Sequence, residues 1–405
     1  MSKEFCIGFD EQTQPITATW PHIPNMGDPM GLTYKDVTLL SQKTGITSRE
    51  EPRYEGDTER VDVLTEFPGL PGRHLPIILS PMDTIVGYEM ARAAAEENVI
   101  PTLPRANDKE NGLALCNRAA TEGIPFIQAI GLEHALEDAI DYEQHGAKVL
   151  LLDIANGFRG DYAEACKTIK ERLPHIEVVG GNIGFGDGVN HLLTAGNINT
   201  IRLGYSMGGA CETWVVSRHG SPMLSAVLSC HDLQDANIIA DGSIQDPGDL
   251  VVALAGGAIA GMVGSIVAGT DEAPGEIVYL HGDPYKRFRG QASASYTADH
   301  SKKIQNHRRT AEGVDVLVPY AGSVKPILRR LAAGIVSGCS YSGVNNIKQL
   351  QQKAIFFRNS ENAIGRGVAH IGGKNGTLTY DRYKKERSIF DMGRNLLQKL
   401  KQTNA

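Results

Sequence analysis

Between residues 76 and 263 the chain alternates short apolar runs with longer stretches of helical periodicity. The runs are Pro76–Leu79, Val99–Leu103, Pro125–Ile130, Lys148–Asp153, Glu177–Gly180, Thr200–Leu203, Asn237–Ala240 and Ile259–Val263. Continuous apolar runs of this length mark strands buried on both faces. Amphipathic helical patterns lie between them, near 86–97, 108–121, 133–145, 160–173, 186–195, 220–231 and 246–255. Several end at a glycine just before the next run (Gly123, Gly146, Gly196, Gly256), where a helix C-terminus is commonly capped. Eight strand–helix units in about 200 residues predict an α/β protein built on a (β/α)8 TIM barrel. The alternative is a doubly wound sheet. No G-x-G-x-x-G opens the first unit, which argues against it.

Outside the repeat the pattern changes. Residues 1–75 are irregular and rich in turn formers (Pro21, Pro24, Gly27, Pro29, Gly31), and read as a segment that wraps the barrel domain, 76–357. Residues 277–285 predict a hairpin turning at His281-Gly-Asp-Pro284. Residues 291–311 are too polar for core and read as a mobile flap over the site. They include Lys302, Lys303, His307, Arg308 and Arg309, whose charges could equally be merely solvated. Ala311-Glu312-Gly313 then leads to Val316–Pro319, and helical patterns follow at 323–337 and 344–357. Residues 358–405 read as a peripheral tail ending in a Lys-rich helix, 383–401.

Composition narrows the function classes. A chain of 405 residues, 41% hydrophobic, has material for one large domain or two. The net charge of −7 gives no general bias toward nucleic acid. No apolar run reaches the ~18 residues of a membrane helix. Met1-Ser-Lys-Glu4 does not begin a secretory signal. The six cysteines form no C-x-x-C pair, so they read as reduced thiols of a cytoplasmic protein. Cys116 and Cys166 fall in helical patterns as packing or surface residues.

Candidate chemistry gathers where the runs end, which in a barrel is the catalytic face. The first run leads to Ser80-Pro-Met-Asp-Thr84, the fourth to Asp153-Ile-Ala-Asn156-Gly157, and the fifth to Gly181-Asn182. The seventh leads to Asp241-Gly242-Ser243 and the eighth to Gly264-Ser265. The sixth opens into Gly204-Tyr-Ser-Met-Gly-Gly-Ala-Cys211-Glu-Thr213. A cysteine on a glycine-rich loop at a strand end is a candidate nucleophile; the competing reading is a small buried thiol. Gly242 and Gly264-Ser265 occupy the usual phosphate position of a barrel.

Taken together, Gly31-Leu-Thr-Tyr-x-Asp-Val, Ser80-Pro-Met-Asp-Thr84, Gly181-Asn182, Cys211-x-Thr213, Ile239-Ala-Asp-Gly242, Gly264-Ser265, Ala268–Glu276, Arg289-Gly290, Glu312-Gly313 and Val318-Pro-Tyr320 resemble the IMP dehydrogenase/GMP reductase family. The likeness runs from about Gly31 to about Arg358. Leu152-Asp-Ile-Ala-Asn-Gly-Phe158 and Ser337-Gly-Cys-Ser-Tyr341 are closer to the reductases. So are the uninterrupted 100–125 segment and a flap without an Arg-Tyr pair. Ser80–Thr84 and Glu272–Glu276 are closer to the dehydrogenases. Three positions depart from both branches. Gly209 stands where the family has a phosphate-binding serine, Glu212 replaces a threonine, and Trp214 replaces an arginine.

The resemblance implies NADPH-dependent reductive deamination of GMP to IMP through a covalent Cys211 adduct, with Thr213 and Glu312 supplying protons. The alternatives are NAD-dependent oxidation of IMP, or a nucleotide-binding homologue without catalysis. It implies that the purine nucleotide monophosphate contacts Ser80, Met82, Gly209, Asp241, Gly242, Ser243, Gly264, Ser265, Arg289, Gly290, Gln291 and Ala292. Asp241 would take the ribose hydroxyls. Asp83, Asp153, Ala155, Asn156, Gly157 and Asn182 would line the nicotinamide side. Carbonyls of Ser206, Gly208 and Cys211 would hold potassium, and the protein would be a homotetramer or larger homo-oligomer.

Overall fold

All eight apolar runs form strands, and they close into one parallel barrel in chain order, the eighth pairing with the first. The computed structural model describes residues 4–9, 15–19, 31–52, 56–106, 108–300, 310–360 and 363. The barrel strands are Ile77–Leu79, Ile100–Leu103, Ile127–Ile130, Val149–Asp153, Glu177–Ile183, Thr200–Leu203, Asn237–Asp241 and Ala260–Val263. Parallel neighbours need crossovers, and helices supply them here, from Tyr88–Glu96 after the first strand to Pro247–Gly256 after the seventh.

Strand alternation sorts the apolar residues into two cores. Ile78, Ile100, Ile127, Val149, Leu151, Val179, Ile239 and Met262 fill the barrel with Phe67. Their neighbours Ile77, Leu79, Leu150, Leu152, Ile201, Leu203, Ile238 and Ala240 belong to the layer between strands and helices. The same alternation puts Asp153, Arg202 and Asp241 on the inner face, at or near the strands' C-terminal ends.

Several boundaries differ from expectation. The fifth strand runs on through Gly181 and Asn182, which the sequence places in a loop. The segment read as a helix over 344–357 is helical only at Ile347–Lys353 and becomes a strand at Ile355–Arg358. Phe356 and Phe357 favour the extended state, and Phe356 is fully buried there. That strand pairs with Glu4–Phe9 and with Val37–Leu39, so the irregular first segment contains strands. The 220–231 pattern shortens to Met223–Leu228, and a further short helix, Thr213–Ser217, follows Cys211.

The hairpin forms from Ile277–Leu280 and Asp283–Arg289, and Asp315–Pro319 adds a third strand. His281 and Gly282 both have positive φ, as a two-residue hairpin turn requires. Within the segment read as a flap, Ala294–His300 is a helix with Tyr296 buried. Lys302, Lys303, His307, Arg308 and Arg309 lie outside the described residues. So does the expected 383–401 helix. The chain divides into two units, Met1–Arg358 and Asn359–Ala405. Among the described residues no helix is long and apolar enough to cross a membrane.

Candidate active site

The C-terminal mouth of the barrel opens into a cavity of about 1950 Å³. That exceeds the roughly 300–1,000 Å³ of a pocket for one small ligand and leaves space for two. Ser80, Met82, Asp153, Ala155, Asn156, Asn182, Ser206, Gly208, Gly209, Cys211 and Thr213 all line it. From later in the chain come Asp241, Gly242, Ser243, Gly264, Ser265, Gly290, Gln291, Ala292 and Glu312. Three expected residues do not line it. Gly157 is buried, and a side chain there would meet Tyr162 and Ile183. Asp83 and Arg289 pair with each other beside the cavity.

Cys211 is exposed at the cavity, whereas Cys116, Cys166, Cys230 and Cys339 are buried. Burial pushes those four thiols up to about 12. Thr213 Oγ1 lies 3.3 Å from Cys211 Sγ and donates to Glu312 Oε2 at 2.8 Å. A hydroxyl has one proton. Once Thr213 gives it to Glu312, Oγ1 is left to accept from the thiol, and the three groups form one directed chain. Backbone pairing holds it in register. Glu212 N–H donates to Glu312 O at 2.7 Å, Val314 N–H donates to Ala210 O at 3.0 Å, and Cys211 bridges Gly313. The 210–213 loop and the 312–314 segment, a hundred residues apart in the chain, are thereby stitched together.

Gly204 turns the loop away from the sixth strand at φ 139°. A side chain there would press on Asp241 O at 2.1 Å, so this position needs glycine. At Gly209 the space for a side chain lies against Ser265 Cβ and Oγ, at 3.0 and 3.1 Å. Glu212 and Trp214 do not line the cavity. The Trp214 ring lies over Gly220, and the Trp214 backbone N–H donates to Ser206 Oγ.

Arg202 is the main site residue that sequence reasoning missed. It donates from Nη1 to Asp153 Oδ1 at 2.7 Å and from Nε to Asp241 Oδ2 at 2.9 Å. Asn182 Nδ2 reaches the same Asp241 oxygen at 3.0 Å, which leaves Oδ1 for a ligand. Burial works against the Arg202 charge, but Asp241 and Asp153 outweigh it and hold the guanidinium above its ordinary value. The available signal was an arginine in an apolar strand at inward parity. Arg105 was missed too; its Nε lies 3.4 Å from Asp153 Oδ2. Tyr205 also lines the cavity, donating to Asn156 Oδ1 at 2.6 Å.

A family model described as an IMP dehydrogenase / GMP reductase domain matches residues 31–370. The inosine-5'-monophosphate dehydrogenase of Nitrosopumilus maritimus is 31% identical over 354 residues, 82% of this chain and 73% of that protein. The GMP reductase of Photobacterium profundum is 30% identical over 345 residues, covering 82% and 95%. The GMP reductase of Onchocerca volvulus is 26% identical over 351 residues, covering 83% and 93%.

Proposed function

The chain belongs to the IMP dehydrogenase/GMP reductase family, oxidoreductases of purine nucleotides that use nicotinamide cofactors, and we propose that its reaction is the reductive deamination of GMP to IMP and ammonia. The observation that carries this reading is the Cys211–Thr213–Glu312 chain. A shift along it moves the thiol proton through Thr213 to the Glu312 carboxylate. The Cys211 thiolate then attacks C2 of the purine, an Sγ–C2 bond forms and the C2=N3 π pair moves to N3, to re-form that bond when the amine leaves. The proton now on Glu312 returns through Thr213 to the exocyclic amine, which leaves C2 as ammonia. A reduced nicotinamide, NADPH on this reading, supplies the hydride that C2 accepts. The Sγ–C2 bond then breaks as the C2=N3 bond re-forms, IMP departs, and a proton from water restores the Cys211 thiol.

The reductive direction needs no base beyond this relay, which recovers from water the one proton that each turnover sends out with ammonia. The oxidative direction needs a further base to activate water. Among the described residues, the guanidinium groups lining the cavity are Arg105 and Arg202, and both are paired with Asp153. NAD-dependent oxidation of IMP is the second reading, and the dehydrogenase-like Ser80–Thr84 segment favours it.

The remaining assignments follow the same reading. Asp241 Oδ1 accepts from the ribose, while Gly242, Ser243, Gly264 and Ser265 face the phosphate. Gln291, with its Nε2 donating to Pro81 O at 2.6 Å, borders the base beside Gly290 and Ala292. The cavity volume suits a dinucleotide beside the nucleotide, and Asp153, Ala155, Asn156 and Asn182 border that part. Among the described residues no group of three or more His, Cys, Asp or Glu is placed to hold a metal ion. On the family resemblance a potassium ion at the Cys211 loop would rest on the neutral carbonyls of Ser206, Gly208 and Cys211, of which Gly208 O here accepts from Cys211 N–H at 3.1 Å. The test is turnover followed at the nicotinamide absorbance with GMP plus NADPH, then with IMP plus NAD. Activity with the first pair supports the reading, and activity with the second alone replaces it.

A further inference from the structure

Arg289 is 5% exposed and reaches two carboxylates from distant parts of the chain. Nε and Nη2 fork onto Asp83, in the loop after the first barrel strand. Nη1 donates to Asp299 Oδ2 at 2.5 Å, on the helix Ala294–His300. The buried ring of Tyr296, on the same helix, lies 5.3 Å from the guanidinium carbon. Arg289 N–H also donates to Thr84 Oγ1 at 3.2 Å. The helix gives Ala294, Thr297 and Ala298 to the cavity wall, and the Asp83 loop gives Ser80 and Met82. Arg289 itself does not line the cavity.

We infer that Arg289 is a positioning residue, a latch that fixes this helix to the first barrel loop and so sets the shape of the purine-nucleotide cavity. The inference rests on reading the cavity as the nucleotide site. Its two arms are unequal. The Asp83 arm is two-pronged and its carboxylate side chain is 24% exposed. Arg289 reaches Asp299 through Nη1 alone, and that carboxylate's side chain is 51% exposed. Solvent and salt screen the second arm far more than the first. The helix arm is therefore the one that opens, while Arg289 stays anchored on Asp83.

Full-length Asp299→Asn and Arg289→Lys variants test this in two arms. The first is hydrogen–deuterium exchange of the 294–300 amides without nucleotide. Asp299→Asn should exchange about fivefold faster, the size of one partly exposed ion pair. Arg289→Lys, a point charge unable to fork across both carboxylates, should do the same or more. The second is steady-state kinetics at fixed potassium. Asp299→Asn should raise the nucleotide KM about fivefold with kcat within about twofold. Added choline chloride should move the wild-type KM toward the variant's and leave the variant's KM in place. A merely structural role would not produce that salt difference. Unchanged exchange in both variants overturns the latch, whatever the turnover result. Faster exchange with an unchanged KM overturns its role in shaping the site. A wild-type protein that turns over no purine nucleotide overturns the proposed function instead, and the exchange arm still judges the latch.

Discussion

Replacing Glu312 by glutamine tests the proton relay with little disturbance of shape. The side chain keeps its length, and the bond from Glu212 N–H is made by the Glu312 backbone, so the stitched segment stays in place. What changes is the group facing Thr213 Oγ1 at 2.8 Å. A carboxylate can take the thiol proton and return it to the leaving amine, and a carboxamide can do neither. Loss of one acid–base group costs about 10²–10⁴ in rate, or roughly 2.7–5.5 kcal/mol of barrier. Nucleotide affinity should stay within about tenfold, roughly 1.4 kcal/mol. Single-turnover ammonia release measures the first quantity, and nucleotide titration calorimetry the second. Ammonia release within about fivefold of wild type, or a rate loss matched by equal loss of affinity and a lower melting temperature, would refute the relay and leave Glu312 a structural partner of Thr213.

Alkylation at neutral pH should label Cys211 before the four buried thiols, with protection by nucleotide, and peptide mass spectrometry reads the order; equal labelling of Cys230 contradicts it. Cys211→Ser should bind nucleotide and turn over nothing in the same assays. Arg202→Met leaves Asp153 and Asp241 without their shared partner and should cost about 3–5 kcal/mol, read as a lower urea midpoint. Cys116, Cys166, Cys230 and Cys339 titrate near 12 when folded and near about 8.5 when unfolded. The unfolded chain loses these protons first, so their contribution is complete below about pH 8.5 and declines as pH rises toward 12. Thermal melts between about pH 8 and 10.5 should fall, and Cys339→Ala should flatten the fall; a slope unaffected by that change refutes the assignment.

The barrel was legible because its strands are buried on both faces, and continuous apolar runs report that condition directly. Asn182 was misplaced because a polar side chain reads as the end of such a run, yet inside the mouth it extends the strand and bonds Asp241. Phe356 was read as helix because a four-residue run carries too little periodicity to separate the two states. Pairings between distant segments were not legible at all. Arg289 and Asp83 are 206 residues apart, and nothing local shows that each satisfies the other beside the cavity. Arg202 was within reach, since parity with Asp153 and Asp241 puts it on the barrel's inner face. The Cys211, Thr213 and Glu312 positions came from motif resemblance, and their contact is a property of the fold.

The central claim is deamination through Cys211, and GMP labelled with nitrogen-15 at the exocyclic amine tests it most directly. With NADPH and purified protein, the account predicts one labelled ammonia and one IMP for each NADPH oxidised, and with Cys211→Ser it predicts no ammonia, no IMP and no NADPH oxidation. NADPH oxidation without labelled ammonia, or labelled ammonia from the Cys211→Ser protein, would contradict it.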